Sequence, residues 1–495
     1  MNRIATGLRW LLVLTLASGM TDAMAAEESP PPAHAPEAVR ADLDELYATL
    51  KAAHYDLFAR RDREAYDREY LATRERIDEP MSEADVRKVF QRFVAFGNVA
   101  HAQIPLPFAA YREFVHAGGR IVPFGIRVMD ARVFIATNSS GIAALQPGVE
   151  IVGIDGLPAL EWLAERERHI SADHPPLAHG LMEFWLDAIT WLEFGERDAL
   201  SVAVRDAEGG TTSITVPFRT LEDIRAARAT QPPGLETDFN AREMKLLDDG
   251  IAYLRPGPFY NTSGGKTWDE TEFRAFIDDA FTKILAAKAT DLVIDLRNNP
   301  GGDQSFSDLL VAWIADRPFQ FYSTFRFKVS EPTRKAILQR AEDYADMPEN
   351  LFSVLKEMAA LVRGHENGER VALEIDAASP HPAPRFEGRV WAIINRHSYS
   401  NATAVAALLQ DYGFATLLGE PTHDLPSSYG AAESFTLSRT GIEVHYPKSW
   451  FVRPNGDARL RGVQPDIAIA TPVIETQEDA VLAKVVEHIR QPQLR

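Results

Sequence analysis

The chain contains no cysteine among its 495 residues. Cysteine catalysis and disulfides are therefore excluded, and a hydrophobic core has to stabilise the fold. Long apolar runs are also missing beyond the N-terminus, so no segment reaches the about 18 apolar residues expected of a membrane-spanning helix. Basic residues are in deficit, with 52 Lys and Arg against 71 Asp and Glu and a net charge of -19. Such a chain repels nucleic acid and anionic membrane surfaces, so neither is an expected partner.

Several cofactor motifs are absent as well. No His, Asp or Glu pair has the H-E-x-x-H spacing of a zinc site, and no metal is expected. The sequence has no G-x-x-x-x-G-K-[ST] phosphate loop and no G-x-G-x-x-G turn after a strand. We therefore predict a protein that works without a nucleotide, a dinucleotide or another cofactor.

The N-terminus has the order of features of a secretory signal peptide. Two arginines precede the apolar run at residues 10–16, and small residues follow at 23–25. This pattern predicts a cleaved signal peptide over residues 1–25 and hence an exported protein, periplasmic or secreted. Residues 26–36 are rich in Pro, Ala and Glu, which predicts a flexible leader.

The remaining chain divides by hydrophobic pattern into a multidomain α+β protein. Apolar residues recur at helical spacing over residues 37–112, which predicts a helical subdomain. Short β-like runs over 113–220 predict a β domain with a helical insertion. Strands alternate with helices over 240–475, as in a layered α/β domain, interrupted by a charged helical insertion or lid at 325–386. Residues 476–495 are predicted to end the chain as a helix.

One stretch of the β domain is informative. Residues 145–156 read Leu-Gln-Pro-Gly-Val-Glu-Ile-Val-Gly-Ile-Asp-Gly and resemble a segment of PDZ domains, which bind extended peptides by adding a strand to their sheet. The alternative is an ordinary β-hairpin with an Asp-Gly turn.

The first candidate for chemistry is the junction at residues 295–303, Asp-Leu-Arg-Asn-Asn-Pro-Gly-Gly-Asp. The pair Gly301 and Gly302 after a buried strand leaves amide N–H groups unmasked by side chains. Such amides near a helix N-terminus can bind a developing oxyanion. The alternative is a plain turn that uses glycine for its permissive dihedral angles.

The second candidate is the junction at residues 393–411, where a buried strand runs through a short polar loop into a helix rich in small residues. Ser400 falls at the expected first helical turn, where the helix dipole stabilises negative charge. A serine on a strand-to-helix turn is a candidate nucleophile for acyl transfer. Serine is also a preferred N-cap residue, which is the alternative interpretation.

The two junctions together resemble those of the C-terminal-processing (tail-specific) serine peptidases and their tricorn relatives. Residues 295–302 are similar to the family's D-L-R-x-N-x-G-G segment, and residues 400–422 to its nucleophile helix and following strand. Residues 462–467, Gly-Val-Gln-Pro-Asp-Ile, resemble its closing signature. The resemblance covers most of residues 119–467 and implies an α/β (crotonase-like) serine peptidase core preceded by a PDZ-like domain.

The resemblance implies Ser400 as nucleophile but leaves its base open. The tail-specific branch places a lysine where this chain has Leu425. The tricorn branch uses a histidine in a G-x-x-H element, which residues 97–102 resemble, so His101 is the expected general base. An ordinary surface histidine is the alternative, and Lys448 is the second choice as base if burial lowers its pKa.

The remaining roles are less defined. The family implies oxyanion donors from a backbone amide of the Gly301 and Gly302 pair and from that of Asn401. A carboxylate is the expected orienting group for His101 and is not assigned: Asp424 and Asp457 are both candidates, and each also fits a turn.

The sequence thus predicts an exported serine peptidase that acts on polypeptides captured by a PDZ-like domain. The rival hypothesis is a catalytically inactive member of the same fold that binds a peptide or an apolar ligand. The oligomeric state and the cleavage preference are not predicted.

Overall fold

The computed structural model describes residues 34–206, 209–231, 240–266, 269–344, 349–474 and 476–491, without the side chains of 349–353. The predicted signal peptide lies outside these ranges, as does the predicted leader up to residue 33. No helix in the described ranges is long and apolar enough to cross a membrane.

The N-terminal region is helical, as its apolar spacing predicts. The third helix begins after Ser82, whose hydroxyl accepts the Asp85 N–H at 3.2 Å and caps the helix. The buried faces of the first three helices form one hydrophobic cluster, which also contacts strands from the C-terminal part of the chain. The helices are α1 (Pro36–Ala53), α2 (Arg63–Glu75), α3 (Glu83–Ala95) and α4 (Phe108–His116).

The middle region, residues 119–229, is an antiparallel sheet in the order β1-β2-β3-β5-β6, with β4 paired to β3. Asp155 and Gly156 join β3 to β4 with φ angles of 48° and 81°, which fits the Asp-Gly hairpin turn that the sequence left as an alternative. The elements are β1 (Phe124–Met129), β2 (Arg132–Asn138), β3 (Glu150–Ile154), β4 (Leu157–Pro158), α5 (Ala159–Glu167), α6 (Pro175–Phe194), β5 (Ala199–Arg205), β6 (Thr211–Pro217) and α7 (Leu221–Ala229).

The C-terminal region contains a mostly parallel sheet in the order β16-β13-β12-β9-β8-β7. Its central strands are continuous apolar runs, as expected of strands covered on both faces. Helices α8, α9 and α12 share the hydrophobic cluster on one face, and α13 packs on the other. The elements are β7 (Glu243–Leu246), β8 (Ile251–Arg255), α8 (Thr271–Ala286), β9 (Asp291–Asp295), α9 (Gln304–Ala312), β12 (Arg389–Ile394), α12 (Asn401–Tyr412), β13 (Thr416–Gly419), β16 (Ile467–Ala468) and α13 (Ala480–Arg490).

The predicted insertion at residues 325–386 is not only helical. Two of its strands join a four-stranded sheet, β11-β10-β15-β14, and so connect it to residues far along the chain. Its helices pack with these strands in a separate hydrophobic cluster. The elements of this part are β10 (Thr324–Lys328), α10 (Glu331–Asp343), α11 (Glu349–Gly364), β11 (Arg370–Ala372), β14 (Ser428–Thr436) and β15 (Glu443–Val452).

Candidate active site

The two candidate junctions leave the same edge of the sheet. Strands β9 and β12 are parallel neighbours, with Asp295 opposite Ile393 at their carboxyl ends. Because the carboxyl ends of neighbouring parallel strands meet at one edge, the loops that follow them share a crevice. Several hydrogen bonds join the loops, among them Tyr399 N–H to Asn299 O at 3.0 Å, Ser398 Oγ–H to Leu296 O at 2.7 Å, and Asn395 Nδ2–H to Asn298 Oδ1 at 2.9 Å.

Ser400 has an unusual backbone conformation. It sits between β12 and α12 with φ 53° and ψ -122°, a region that residues other than glycine rarely adopt. A strained turn from strand to helix is how a nucleophile is presented above a sheet in other hydrolases. The Ser400 N–H donates to Asp424 Oδ2 at 2.5 Å, which holds this conformation. The residue itself is half-buried, so its side chain is accessible from the crevice.

The diglycine turn lies directly against Ser400. A Cβ at Gly301 would stand 2.8 Å from the Ser400 Cβ and 2.7 Å from the Asn401 nitrogen. A Cβ at Gly302 would stand 2.1 Å from the carbonyl oxygen of Phe259. Both glycines also have positive φ, at 87° and 134°. Close approach and backbone conformation therefore both require glycine at these two positions.

The amides around this turn are not equivalent. The Gly301 N–H donates to Asn299 Oδ1 at 2.9 Å and is not available to an oxyanion. In the described ranges, neither the Gly302 N–H nor the Asn401 N–H has an intramolecular acceptor. Of the expected pair of glycine donors, only Gly302 therefore has a spare amide, and it belongs to the turn that abuts the start of α12.

His101 approaches Ser400 from the N-terminal region. Its ring stacks on Tyr399, with centroids 6.0 Å apart, and a Cβ at Gly430 would stand 3.8 Å from its Cε1. Burial lowers the pKa of His101 and keeps the imidazole neutral at neutral pH. Its Nδ1 is buried without a hydrogen-bond partner in the described ranges. There the Ser400 hydroxyl also makes no hydrogen bond, so no hydrogen bond joins it to His101.

Comparison with known proteins identifies the family of the segment that contains the two junctions. Residues 251–469 match Peptidase family S41. This segment is an S41 peptidase domain. Members of the family are serine-type hydrolases, so the chain is a serine-type enzyme that acts on polypeptides. The S41 segment contains both sheet-edge junctions, whereas His101 lies outside it.

Solved structures extend the likeness beyond the S41 domain. Mature CPAF has 17% sequence identity and a TM-score of 0.61, with 88% of this chain and 92% of CPAF covered. Mature CPAF complexed with lactacystin gives the same identity and TM-score over 92% of this chain and 97% of CPAF. At this identity the similarity establishes a shared fold. A search of curated proteins found no match.

Sequence reasoning missed one buried carboxylate beside the His101 segment, Asp173. It directly precedes the α6 segment, its side chain is fully buried, and its Oδ2 accepts the Ala100 N–H at 3.3 Å. Burial raises the pKa of Asp173 to about 6; Arg60 and His101 lower it, and Asp424 adds to the rise. No local motif marks this aspartate, because its neighbours come from the N-terminal region.

Asp424, the first predicted acid, lies beside Ser400 and is already hydrogen-bonded. Its side chain is buried and accepts the Ser400 N–H, while Thr422 Oγ1–H donates to its carbonyl oxygen at 2.9 Å. Burial raises the pKa of Asp424 to about 6, and its hydrogen bonds oppose this rise. The contacts of Asp424 support the Ser400 backbone rather than His101.

The other two predicted residues have different surroundings. Asp457 binds its near neighbour Arg459 at 2.6 Å in a turn, which is the alternative that the sequence left open. Lys448 is buried on β15, where its Nζ donates to Glu433 Oε1 and to Ala431 O, both at 2.8 Å. Burial lowers the pKa of Lys448, while Glu433 opposes this. None of these contacts directs the lysine at Ser400.

Within the described ranges, no group of three His, Asp or Glu side chains is arranged to hold a metal ion.

Proposed function

We propose that this S41 enzyme is an exported serine peptidase that cleaves peptide bonds through an acyl-enzyme on Ser400, with His101 as general base. One arrangement carries the proposal: a serine with positive φ lies against a glycine turn, and the neighbouring amides of Gly302 and Asn401 have no acceptor among the described residues. Such an arrangement is suited to a nucleophile whose attack creates an oxyanion nearby.

The reaction would proceed in two halves. The Ser400 hydroxyl attacks the scissile carbonyl carbon while His101 takes its proton, and the oxyanion accepts hydrogen bonds from the Gly302 and Asn401 amides. The carbonyl re-forms as the C–N bond breaks, and His101 gives the proton to the leaving amine. Water then attacks the ester, again with His101 as base, and releases the new carboxyl end and the free serine.

Electrostatics favour this assignment of the base. A buried imidazole with a lowered pKa is neutral at neutral pH, as a base must be before it accepts a proton. Lys448 is less suited, because its Nζ donates to Glu433 Oε1 and to Ala431 O, and neither contact directs it at Ser400.

The proposal is tested with a fluorophosphonate probe, which labels an activated serine covalently. We expect the purified protein to be labelled and Ser400→Ala to lose all labelling. Ser213→Ala, which removes an exposed hydroxyl from β6, is the matched control and should label like the unaltered protein. Absence of labelling from folded protein would instead support the rival function, an inactive peptide or apolar-ligand binder.

We further propose that the middle region captures an extended polypeptide in the manner of a PDZ domain. Support comes from its antiparallel sheet, whose outer strands β1 and β6 each pair on one side only. A peptide extended beyond its cleavage sequence should then have a KM about tenfold lower than the short peptide alone. An uncleavable long peptide should inhibit hydrolysis of the extended peptide but not hydrolysis of a small ester. Equal inhibition of both reactions would contradict capture by the middle region.

Export is proposed from the sequence of residues 1–25. Expression of the whole gene in a bacterium with two membranes should give a periplasmic or secreted product that begins near residue 26. A product that stays in the cytoplasm and keeps its first residues would contradict this proposal.

A further inference from the structure

Three separate parts of the chain meet at the crevice. Ser400 comes from the S41 domain and His101 from the segment after α3, and Asp173 comes from the middle region, just before α6. The fold therefore brings a buried carboxylate to a histidine that lies 72 positions earlier in the chain, by subtraction of their residue numbers. Buried carboxylates are rare unless they are paired or have a function, so the position of Asp173 requires an explanation.

The contacts of Asp173 point to the histidine segment. Its Oδ2 accepts the N–H of Ala100, the residue before His101, at 3.3 Å. Its Oδ1 lies 3.5 Å from an Nη atom of Arg60, a cation that favours the ionised carboxylate. Ala100 is itself buried, so this anchoring hydrogen bond is shielded from water.

His101 needs such a neighbour. Its Nδ1 is buried and lacks a partner in the described ranges, and burial works against the charged imidazolium. The charge of Asp173 acts in the opposite direction and favours the protonated ring. The charged groups that act on Asp173 are Arg60, His101 and Asp424, and only the last disfavours its negative charge.

Asp424 does not compete for this role. Its Oδ2 accepts the Ser400 N–H, and it is Asp173 rather than Asp424 whose charge raises the His101 pKa. The two buried carboxylates thus have different partners. Asp424 accepts the Ser400 N–H, and Asp173 accepts the N–H of the residue before His101.

We propose that Asp173 is a positioning residue for hydrolysis: it fixes the His101 segment through the Ala100 amide and stabilises the imidazolium that forms when His101 takes the Ser400 proton. This inference rests on the proposed function. The proton moves from the Ser400 oxygen to the imidazole and on to the leaving amine, and Asp173 remains ionised throughout.

The test compares Asp173→Asn with Asp173→Glu in the full chain. Asparagine can still accept the Ala100 N–H but carries no charge, so we expect kcat to fall by about 10²- to 10³-fold with KM within about threefold. Glutamate should restore part of the lost kcat. The acidic limb of the kcat/KM profile should move to lower pH in Asp173→Asn, because the carboxylate that raises the His101 pKa is gone.

A matched control distinguishes the effect of losing the Asp173 charge near His101 from the effect of replacing any buried aspartate. Asp42 is fully buried and accepts the Thr440 N–H at 2.7 Å, and its partners Arg439 and Thr440 lie in the turn between β14 and β15 rather than at the crevice. Asp42→Asn should keep kcat and the pH profile of the unaltered enzyme. Circular dichroism confirms that each variant is folded before its kinetics are compared.

The outcomes distinguish the two proposals. If the unaltered protein reacts with the fluorophosphonate through Ser400, and Asp173→Asn keeps its kcat and its acidic limb, Asp173 only supports the fold and the inference is wrong. If the unaltered, folded protein does not react at all, the proposed function fails and the inference fails with it.

Discussion

The two halves of the crevice are built in different ways. The proposed oxyanion half consists of backbone groups of Gly302 and Asn401 on two loops that follow adjacent parallel strands and are joined by hydrogen bonds. The proposed base half consists of side chains, His101 and Asp173, that come from separate regions and have no hydrogen bond to Ser400 in the described ranges. Added side-chain atoms in the backbone half would collide with neighbouring main-chain atoms. The protonation of the groups in the side-chain half depends on nearby charges and on burial.

This contrast predicts different failures for the two halves. Substitution in the backbone half should disturb both fold and activity, since main-chain atoms cannot move aside. Substitution in the base half should change activity while the fold persists or even gains stability. The variants below test whether the two halves differ in this way.

The largest effect is expected from the base half. His101→Ala should lower kcat by about 10³-fold, because Ser400 loses the group that takes its proton. The fold should persist, because the substitution removes the stacking of the ring on Tyr399 without introducing a larger group. Steady-state peptide hydrolysis checks the first statement and circular dichroism the second. Full activity in this variant would show that another group is the base.

The backbone half is tested at Gly302. Gly302→Ala should lower kcat by about 10²-fold and unfolding free energy by about 3 kcal/mol, because the new Cβ meets the Phe259 carbonyl. Gly456→Ala is the matched control: φ there is 82°, but a Cβ would meet nothing within 4 Å. The control should lose only about 1 kcal/mol and no activity. Similar losses in both variants would mean that φ alone matters.

Asp424 offers a test of buried charge. Its pKa is raised from an unfolded value near 3.9 to about 6, so the native state binds more protons than the unfolded state between those values. Stability contributed by its neutral form is therefore lost as pH rises from about 4 to 6. Asp424→Asn should thus be about 2 kcal/mol more stable than the unaltered protein at pH 8, and equal to it below pH 4.

Urea denaturation at pH 8 and pH 4 measures this difference. Asp457→Asn is the contrasting variant, because Arg459 lowers the pKa of Asp457 and the pair is exposed. It should change stability by less than about 1 kcal/mol. A lower stability of Asp424→Asn at pH 8 would mean that the charge itself stabilises the strained Ser400 turn.

The smallest activity effect is expected at Lys448. Lys448→Met should leave kcat and KM unchanged per folded molecule, since the ammonium is bound to Glu433. Stability should fall by only about 1–2 kcal/mol, because Arg340 still pairs with that carboxylate at 2.6 Å. Peptide hydrolysis and thermal unfolding measure the two effects. Loss of kcat in folded protein would restore the lysine as a candidate base.

Sequence could predict the backbone half because its determinants are local. The apolar runs of β9 and β12 gave both strands within one residue of their observed ends, and glycine after a buried strand marks a tight turn. Ser400 could be chosen as a candidate in the same way, because it stands at the turn from a buried strand into a helix. The choice of Gly302 over Gly301 as the free amide could not be predicted, because it depends on the Asn299 side chain, which accepts the Gly301 N–H.

The base half and the second sheet were harder to predict. Strands β10 and β11 lie in a charged segment that was expected to be helical. The pairing of β10 with β15 spans more than a hundred residues of sequence. Asp173 likewise has no motif of its own, because its partners Ala100 and Arg60 are remote in the chain. Contacts of this kind follow from tertiary packing and leave no local pattern.

The central claim is that Ser400 reacts with its oxyanion held by the Gly302 and Asn401 amides. A crystal structure of the fluorophosphonate adduct tests it most directly. The claim predicts phosphorus bonded to Ser400 Oγ, with its oxygen about 3 Å from both amide nitrogens. A phosphoryl oxygen turned away from the glycine turn, or an adduct on another residue, would contradict it.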